Sequence, residues 1–170
     1  MLEIRFAERE DINTIGYLAH EIWPKAYAEI LTPEQLSYML DLLYKPTALN
    51  QQMNQQHVFV LAELDEEPSG FASFSEIEKG IFKLHKLYVL PGLQGKGVGR
   101  ALLDFVTSEC IGRGGSTLLL NVNRNNKAIT FYKKEGFEVV REEDIDIGNG
   151  YQMNDFVMSK TLIRPTKKHQ

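Results

Sequence analysis

Residues 83–100 constrain this chain more than any other stretch: Lys-Leu-His-Lys-Leu-Tyr-Val-Leu-Pro-Gly-Leu-Gln-Gly-Lys-Gly-Val-Gly-Arg. The first half reads as a strand, because Leu84, Leu87, Tyr88, Val89 and Leu90 are β-compatible and Pro91-Gly92 ends the run. The second half sets Gly95, Gly97 and Gly99 at alternate positions, and an amphipathic helix follows with Val98, Leu102, Phe105, Val106 and Cys110 on one face. A strand, a glycine-rich turn and a helix start together make an anion site. The N–H groups of a first helical turn have no partner within the helix, and the helix dipole adds about half a positive charge there. Glycines lack the Cβ that would hold a phosphate off the backbone. The stretch therefore reads as a phosphate or pyrophosphate cradle.

Two common phosphate loops fit it poorly. A P-loop needs Gly-Lys-Ser/Thr, and Lys96 is followed by Gly97. A dinucleotide fold places its loop after the first strand of a βαβ unit with an acid near the end of the next strand, whereas here the next strand ends at Asn121-Val122-Asn123. The segment Gln94-Gly95-Lys96-Gly97-Val98-Gly99 instead resembles the acyl-coenzyme A signature Gln/Arg-x-x-Gly-x-Gly/Ala of the GNAT superfamily of N-acetyltransferases. Residues 125–137 are similar to that superfamily's Asn-x-x-Ala-x-x-x-Tyr-x-x-x-Gly-Phe segment, through Asn125, Ala128, Tyr132, Gly136 and Phe137. The region 23–39 and the ending Gly150-Tyr151-Gln152-Met153-Asn154-Asp155-Phe156-Val157-Met158 resemble the spermidine/spermine acetyltransferase branch.

Composition narrows the classes further. The 170 residues suffice for one domain with a sizeable core, expected over 1–163 with a polar tail at 164–170. A net charge of −4 argues against general nucleic-acid binding, which uses a basic face. A single cysteine, Cys110, excludes an internal disulfide, and its place on an apolar helix face assigns it to packing. The start Met-Leu-Glu-Ile-Arg lacks the apolar run of a signal peptide, and no stretch of about 18 apolar residues occurs, so a cytoplasmic, unanchored protein is expected. No His/Cys/Asp/Glu set has metal-ligand spacing, so no metal is expected.

In chain order, Leu2, Ile4 and Phe6 alternate with polar residues as a first strand. Asp11 is expected to cap a helix that Pro24 stops, and Thr32-Pro33-Glu34-Gln35 opens a second that Pro46 ends. Residues 47–56 read as a short helix or a loop. Strands are expected at 57–64, 71–77, 116–122, 137–141 and 156–162, with Asn125 capping a helix that ends at Gly136. Physics alone gives a mixed α/β layer fold. The resemblance implies the acetyltransferase fold, a mostly antiparallel seven-stranded sheet flanked by helices and splayed between two central strands, with coenzyme A in the wedge.

Acetyl transfer to an amine needs a bound thioester, a neutral amine and a proton for the departing thiolate. The resemblance assigns the pyrophosphate of acetyl-coenzyme A to the amides of Gly95, Lys96, Gly97, Val98, Gly99 and Arg100, with Gln94 orienting the loop and Asn125 contacting the cofactor. It lays the pantetheine along Leu87, Tyr88 and Val89, the N–H groups of Leu87 and Val89 pairing with it as with an added strand. The Leu87 N–H would also polarise the thioester carbonyl, a contribution of a few kcal/mol at the transition state. Tyr132 is the candidate general acid. A phenol of pKa ~10 donates to a thiolate of pKa ~8.5 uphill by roughly 2 kcal/mol unless the site lowers the phenol.

The base is more open. Freeing an alkyl amine of pKa ~10.4 at pH 7 costs about 4–5 kcal/mol. Glu76, Glu78 and His85 are the candidates, and bulk deprotonation along a water path is the alternative. Glu142, Glu143, Asp144 and Asp146 form a solvated acidic face, or a lure for a cationic amine or a partner's basic patch. The expected function is acetyl transfer from acetyl-coenzyme A to a primary amine, with a polyamine such as spermidine as the suggested acceptor. A non-catalytic coenzyme A-binding module and a protein lysine or N-terminal acetyltransferase are the alternatives, and a homodimer is plausible by resemblance.

Overall fold

Seven strand-forming segments pair into a single sheet in the computed structural model, which describes residues 1–93 and 95–163. The strands are β1 (Leu2–Phe6), β2 (Val58–Leu64), β3 (Glu67–Glu78), β4 (Ile81–Val89), β5 (Thr117–Asn123), β6 (Glu138–Gly148) and β7 (Tyr151–Thr161), in the order β1-β2-β3-β4-β5-β7-β6. All neighbours are antiparallel except β4 and β5. That parallel step needs a crossover, and the glycine turn with helix α4 (Val98–Gly112) supplies it.

The helices cover both faces. On one, Val98, Leu102, Val106 and Cys110 of α4 pack on Phe74, Leu84, Leu118 and Leu120, joined by Tyr132 of α5 (Ala128–Lys134). On the other, α1 (Ile12–Ala26), α2 (Pro33–Tyr44) and α3 (Pro46–Asn54) bury Ile15, Leu18, Trp23, Tyr44 and Leu49 on Phe59, Leu61 and Phe71. Cys110 is fully buried, and burial pushes its thiol up to about 12, which makes it an inert packing group.

Two backbone irregularities shape the centre. In the β3–β4 ladder Ser73 faces Lys86 and Phe74 faces Leu84, so His85 is an extra residue that bulges from the strand. Pairing of β4 with β5 covers only Ile81–Leu84 against Thr117–Leu120, after which the two strands part. The expected splayed α+β sheet is thus present, with the opening between 85–89 and 121–123.

Several boundaries differ from expectation for identifiable reasons. Pro24 lies inside α1, because Trp23 and Tyr27 are both buried on the aromatic cluster below and hold the last turn on. Asp11 does not cap α1 with its side chain; its carboxylate instead accepts from the two terminal guanidinium nitrogens of Arg5, each at 2.9 Å. Thr32 does cap α2, accepting from Gln35 N–H at 3.1 Å. Asn125 is not the cap of α5: Asn126 Oδ1 accepts from Ala128 N–H at 2.8 Å, while Asn123 Oδ1 takes the Asn125 N–H at 2.9 Å. Strand β3 begins at Glu67, before Pro68, with Ser69 Oγ bonding across the turn to Leu64 N–H. The acidic run 142–146 belongs to a long hairpin with β7, closed by the turn at Asn149 and Gly150.

Candidate active site

A cleft of about 1390 Å³ opens where β4 and β5 part. It runs from the start of α4 past β4 to the space beneath α1 and α2. Tyr38 fastens α2 to the tip of the β6–β7 hairpin, its hydroxyl donating to Ile147 C=O at 2.8 Å, which closes the far end.

At the near end the glycine turn presents its backbone. Gly95 and Gly97 take left-handed φ values of 82° and 78°, and an added Cβ at either would meet no atom within 4 Å, so the space above them is open to a ligand. Helix α4 begins its own ladder with Ala101 N–H to Gly97 C=O at 3.0 Å, which leaves the N–H groups of Val98, Gly99 and Arg100 as the positive mouth of the helix. Gly95, Gly97, Val98, Gly99 and Arg100 all line the cleft. Lys96 does not line it, and its N–H donates to Leu93 C=O at 3.2 Å, so this amide shapes the turn. Gln94 lies outside the described residues. The donor set suits a pyrophosphate, and Asn125 with Lys127 borders it across the opening.

Along the middle, Leu87, Tyr88 and Val89 line the cleft on the edge of β4 that β5 has left. Tyr132 reaches the same space from α5. It is 7% exposed, packed edge-on against Phe131 and Phe137, and its hydroxyl makes no hydrogen bond among the described residues. Burial raises this phenol above its ordinary value, opposite in direction to the lowering that would ease proton donation. The group is therefore held protonated, as a donor needs, but full transfer to a thiolate is steeper than for a free phenol.

The base candidates separate. Glu76 is outside the cleft, its carboxylate accepting the Gly80 N–H at 2.9 Å across the β3–β4 turn, and Glu78 is exposed at the same turn. His85 lines the cleft, bonded through Nε2 to Ser75 Oγ at 2.7 Å and stacked on His57 at 4.0 Å. Burial, with His57, Lys83 and Lys86 nearby, lowers its pKa to about 3, so the ring is neutral and weakly basic. Asp155, absent from the sequence-based candidates, lines the opposite wall at 6% exposure. Its Oδ2 accepts from Asn121 Nδ2 at 3.4 Å and its Oδ1 is buried without a partner, and burial raises its pKa. Lys86 was missed as well, since a lysine in a β-run ordinarily points to solvent; the bulge at His85 moves it from the face of Phe82 and Leu84 to that of Tyr88, beneath α1–α3.

This fold and cleft agree with comparison to known proteins. The Acetyltransferase (GNAT) domain profile matches residues 27–160. The chain belongs to the GNAT acetyltransferase family. It is 31% identical to the spermidine N(1)-acetyltransferase of Thermoplasma acidophilum over 165 residues, 94% of this chain and 96% of that protein. An uncharacterised N-acetyltransferase of Bacillus subtilis is also 31% identical, over 96% of this chain and 99% of its own length. The crystal structure of PaiA N-acetyltransferase from Thermoplasma acidophilum in complex with coenzyme A superimposes with a TM-score of 0.81 at 29% identity, covering 95% of this chain and 99% of that one.

Proposed function

We propose that this GNAT acetyltransferase moves the acetyl group of acetyl-coenzyme A to the primary amine of a small molecule, with Tyr132 as proton donor to the leaving thiolate. The observation that carries the reading is the continuity of one cleft from the amide mouth of α4, along the unpaired edge of β4, to the Tyr132 hydroxyl. Bound there, the thioester would supply the activated acyl group. The amides of Val98, Gly99 and Arg100 hold its pyrophosphate, and the Leu87 N–H faces the carbonyl where negative charge develops. The phenol, kept neutral by burial, stabilises the departing sulfur by donation. With Glu76 engaged at a turn and His85 too weakly basic to take the proton of an alkyl ammonium, the amine enters already deprotonated from solvent.

Thiol release measured over a panel of primary amines tests this. Tyr132→Phe is expected to lower kcat by about 100-fold or more while changing coenzyme A affinity by less than about threefold. An unchanged kcat removes Tyr132 from the proton transfer, and binding without turnover for every amine overturns the transfer reading. A polyamine such as spermidine is a second reading of the acceptor, favoured by the named activity of the Thermoplasma relative and by the buried carboxylate of Asp155. Turnover of spermidine in the same panel is its direct test.

A further inference from the structure

Beneath α1–α3 the cleft ends in a chamber whose chemistry differs from that of the Asp155 wall. Lys86 enters it from β4 at 7% exposure and makes no ion pair or hydrogen bond among the described residues. Its Nζ lies 5.3 Å from the centre of the Tyr44 ring and 5.9 Å from that of Phe59. The rings hold the cation by their negative faces but offer no acceptor for its three N–H groups. Trp23 and Tyr44, each 2% exposed and with rings 5.5 Å apart, line the same chamber. Trp23 Nε1 faces the Tyr44 hydroxyl without forming a full hydrogen bond to it, both atoms being buried, and Gln52 Oε1 and His57 Nδ1 on the rim are buried without a partner.

A buried cation with no counter-charge, beside two unmatched donors, is costly to maintain. Water can accept from the donors but cannot balance the ammonium. Burial lowers the Lys86 pKa only to about 8, so most of the group is charged at neutral pH. One anionic ligand bearing several lone pairs answers all three groups at once.

We propose that Lys86, Trp23 and Tyr44 form a carboxylate-binding subsite for the acceptor, so that the substrate is an amine that also carries a carboxylate. This rests on the amine-acetylation reading and narrows its substrate class. The cleft is then two-sided, with Asp155 and Asn121 on one wall for the amine and Lys86 on the other for the anion. A polyamine would bring its second cation against an ammonium that has no shield.

Calorimetry on the full chain, with and without saturating coenzyme A, tests the subsite apart from turnover. The ligands are matched pairs that differ by a carboxylate: ornithine and putrescine, lysine and cadaverine, alanine and ethylamine, phenylalanine and phenethylamine. At least one amino acid is expected to bind about 10- to 100-fold tighter than its decarboxylated partner. Lys86→Met, which replaces a buried cation by an apolar chain of similar volume and so keeps the fold, is expected to bring that ratio to within about threefold. Tyr44→Phe keeps the ring and should reduce the ratio by a smaller factor, about 3- to 10-fold.

A wild type in which no pair favours the carboxylate overturns the proposal, as does a preference that survives in Lys86→Met. The two readings fail separately. Turnover of putrescine or cadaverine without preference for the amino acids sinks the subsite and leaves acetyl transfer standing. A Lys86-dependent binding preference without any turnover does the reverse.

Discussion

Lowering the pH should destabilise this fold through His85, and the size of the effect follows from its setting. The ring is bonded to Ser75 inside the sheet bulge, and its burial, with the stacked His57 and two lysines nearby, holds its pKa at about 3. In the unfolded chain a histidine titrates near ~6.5. Above that value both states are neutral and His85 contributes no pH dependence. As pH falls the unfolded state takes up a proton that the folded state refuses, so stability is lost from pH ~6.5 downward and the loss levels off near 3. Between pH 7.5 and 5.0 the linkage integral is up to about 2 kcal/mol. With a urea slope of about 2 kcal/mol per molar, the midpoint should fall by roughly 1 M. Asp155, raised by burial, acts in the opposite sense, so the wild-type curve alone is a mixture. The measurement is therefore a difference: urea unfolding of wild type and His85→Gln at both pH values. The variant keeps a polar partner for Ser75 but cannot titrate, and it should lose less than about half as much stability as wild type. Equal losses in the two proteins would show that the neutral, proton-refusing ring is not what the structure implies.

Two further predictions concern the frame of the cleft. In Gly70→Ala the new Cβ would sit 2.6 Å from the Tyr88 carbonyl oxygen and 3.3 Å from Val89 Cα and Leu102 Cδ1, so β3 must move from β4. The expected cost is about 1–3 kcal/mol, or a melting temperature lower by roughly 3–10 °C, with weaker coenzyme A binding; calorimetric scans and a binding titration read both. Leu102→Ala empties a fully buried site under the same strands and should cost about 3–5 kcal/mol in urea unfolding, with no new slope against pH.

The glycine turn and α4 were legible because their causes are local. Left-handed φ at Gly95 and Gly97 favours glycine, and the spacing of Val98, Leu102, Val106 and Cys110 is one helix face. Most strands were legible for the same kind of reason, as short apolar or alternating runs bounded by turn residues. What stayed hidden depends on partners distant in sequence. Residues 142–144 are all acidic and only 144–147 alternate acid with apolar, so it is pairing with β7 that makes a long strand of what reads alone as a solvated run. Tyr132 is identifiable from its motif, but the upward shift of its phenol comes from the packing around it. Lys86 and Asp155 are ordinary charged residues in the sequence; a bulge moves one to the face beneath α1–α3, and pairing with Asn123 seats the other.

Only four residue pairs join β4 to β5, at one end of those strands. The sheet is in effect a zip that has been drawn a short way and left. Cohesion between its two leaves beyond that point must come from the helices above and below, or from a guest whose own amides bridge the teeth. Any guest that prefers the assembled form adds its binding free energy to folding, about 2.7 kcal/mol at a hundred times its dissociation constant. Rigidity at the open end is thus borrowed from the cargo, and the same gap that admits the reactant makes its arrival a structural event for the whole chain.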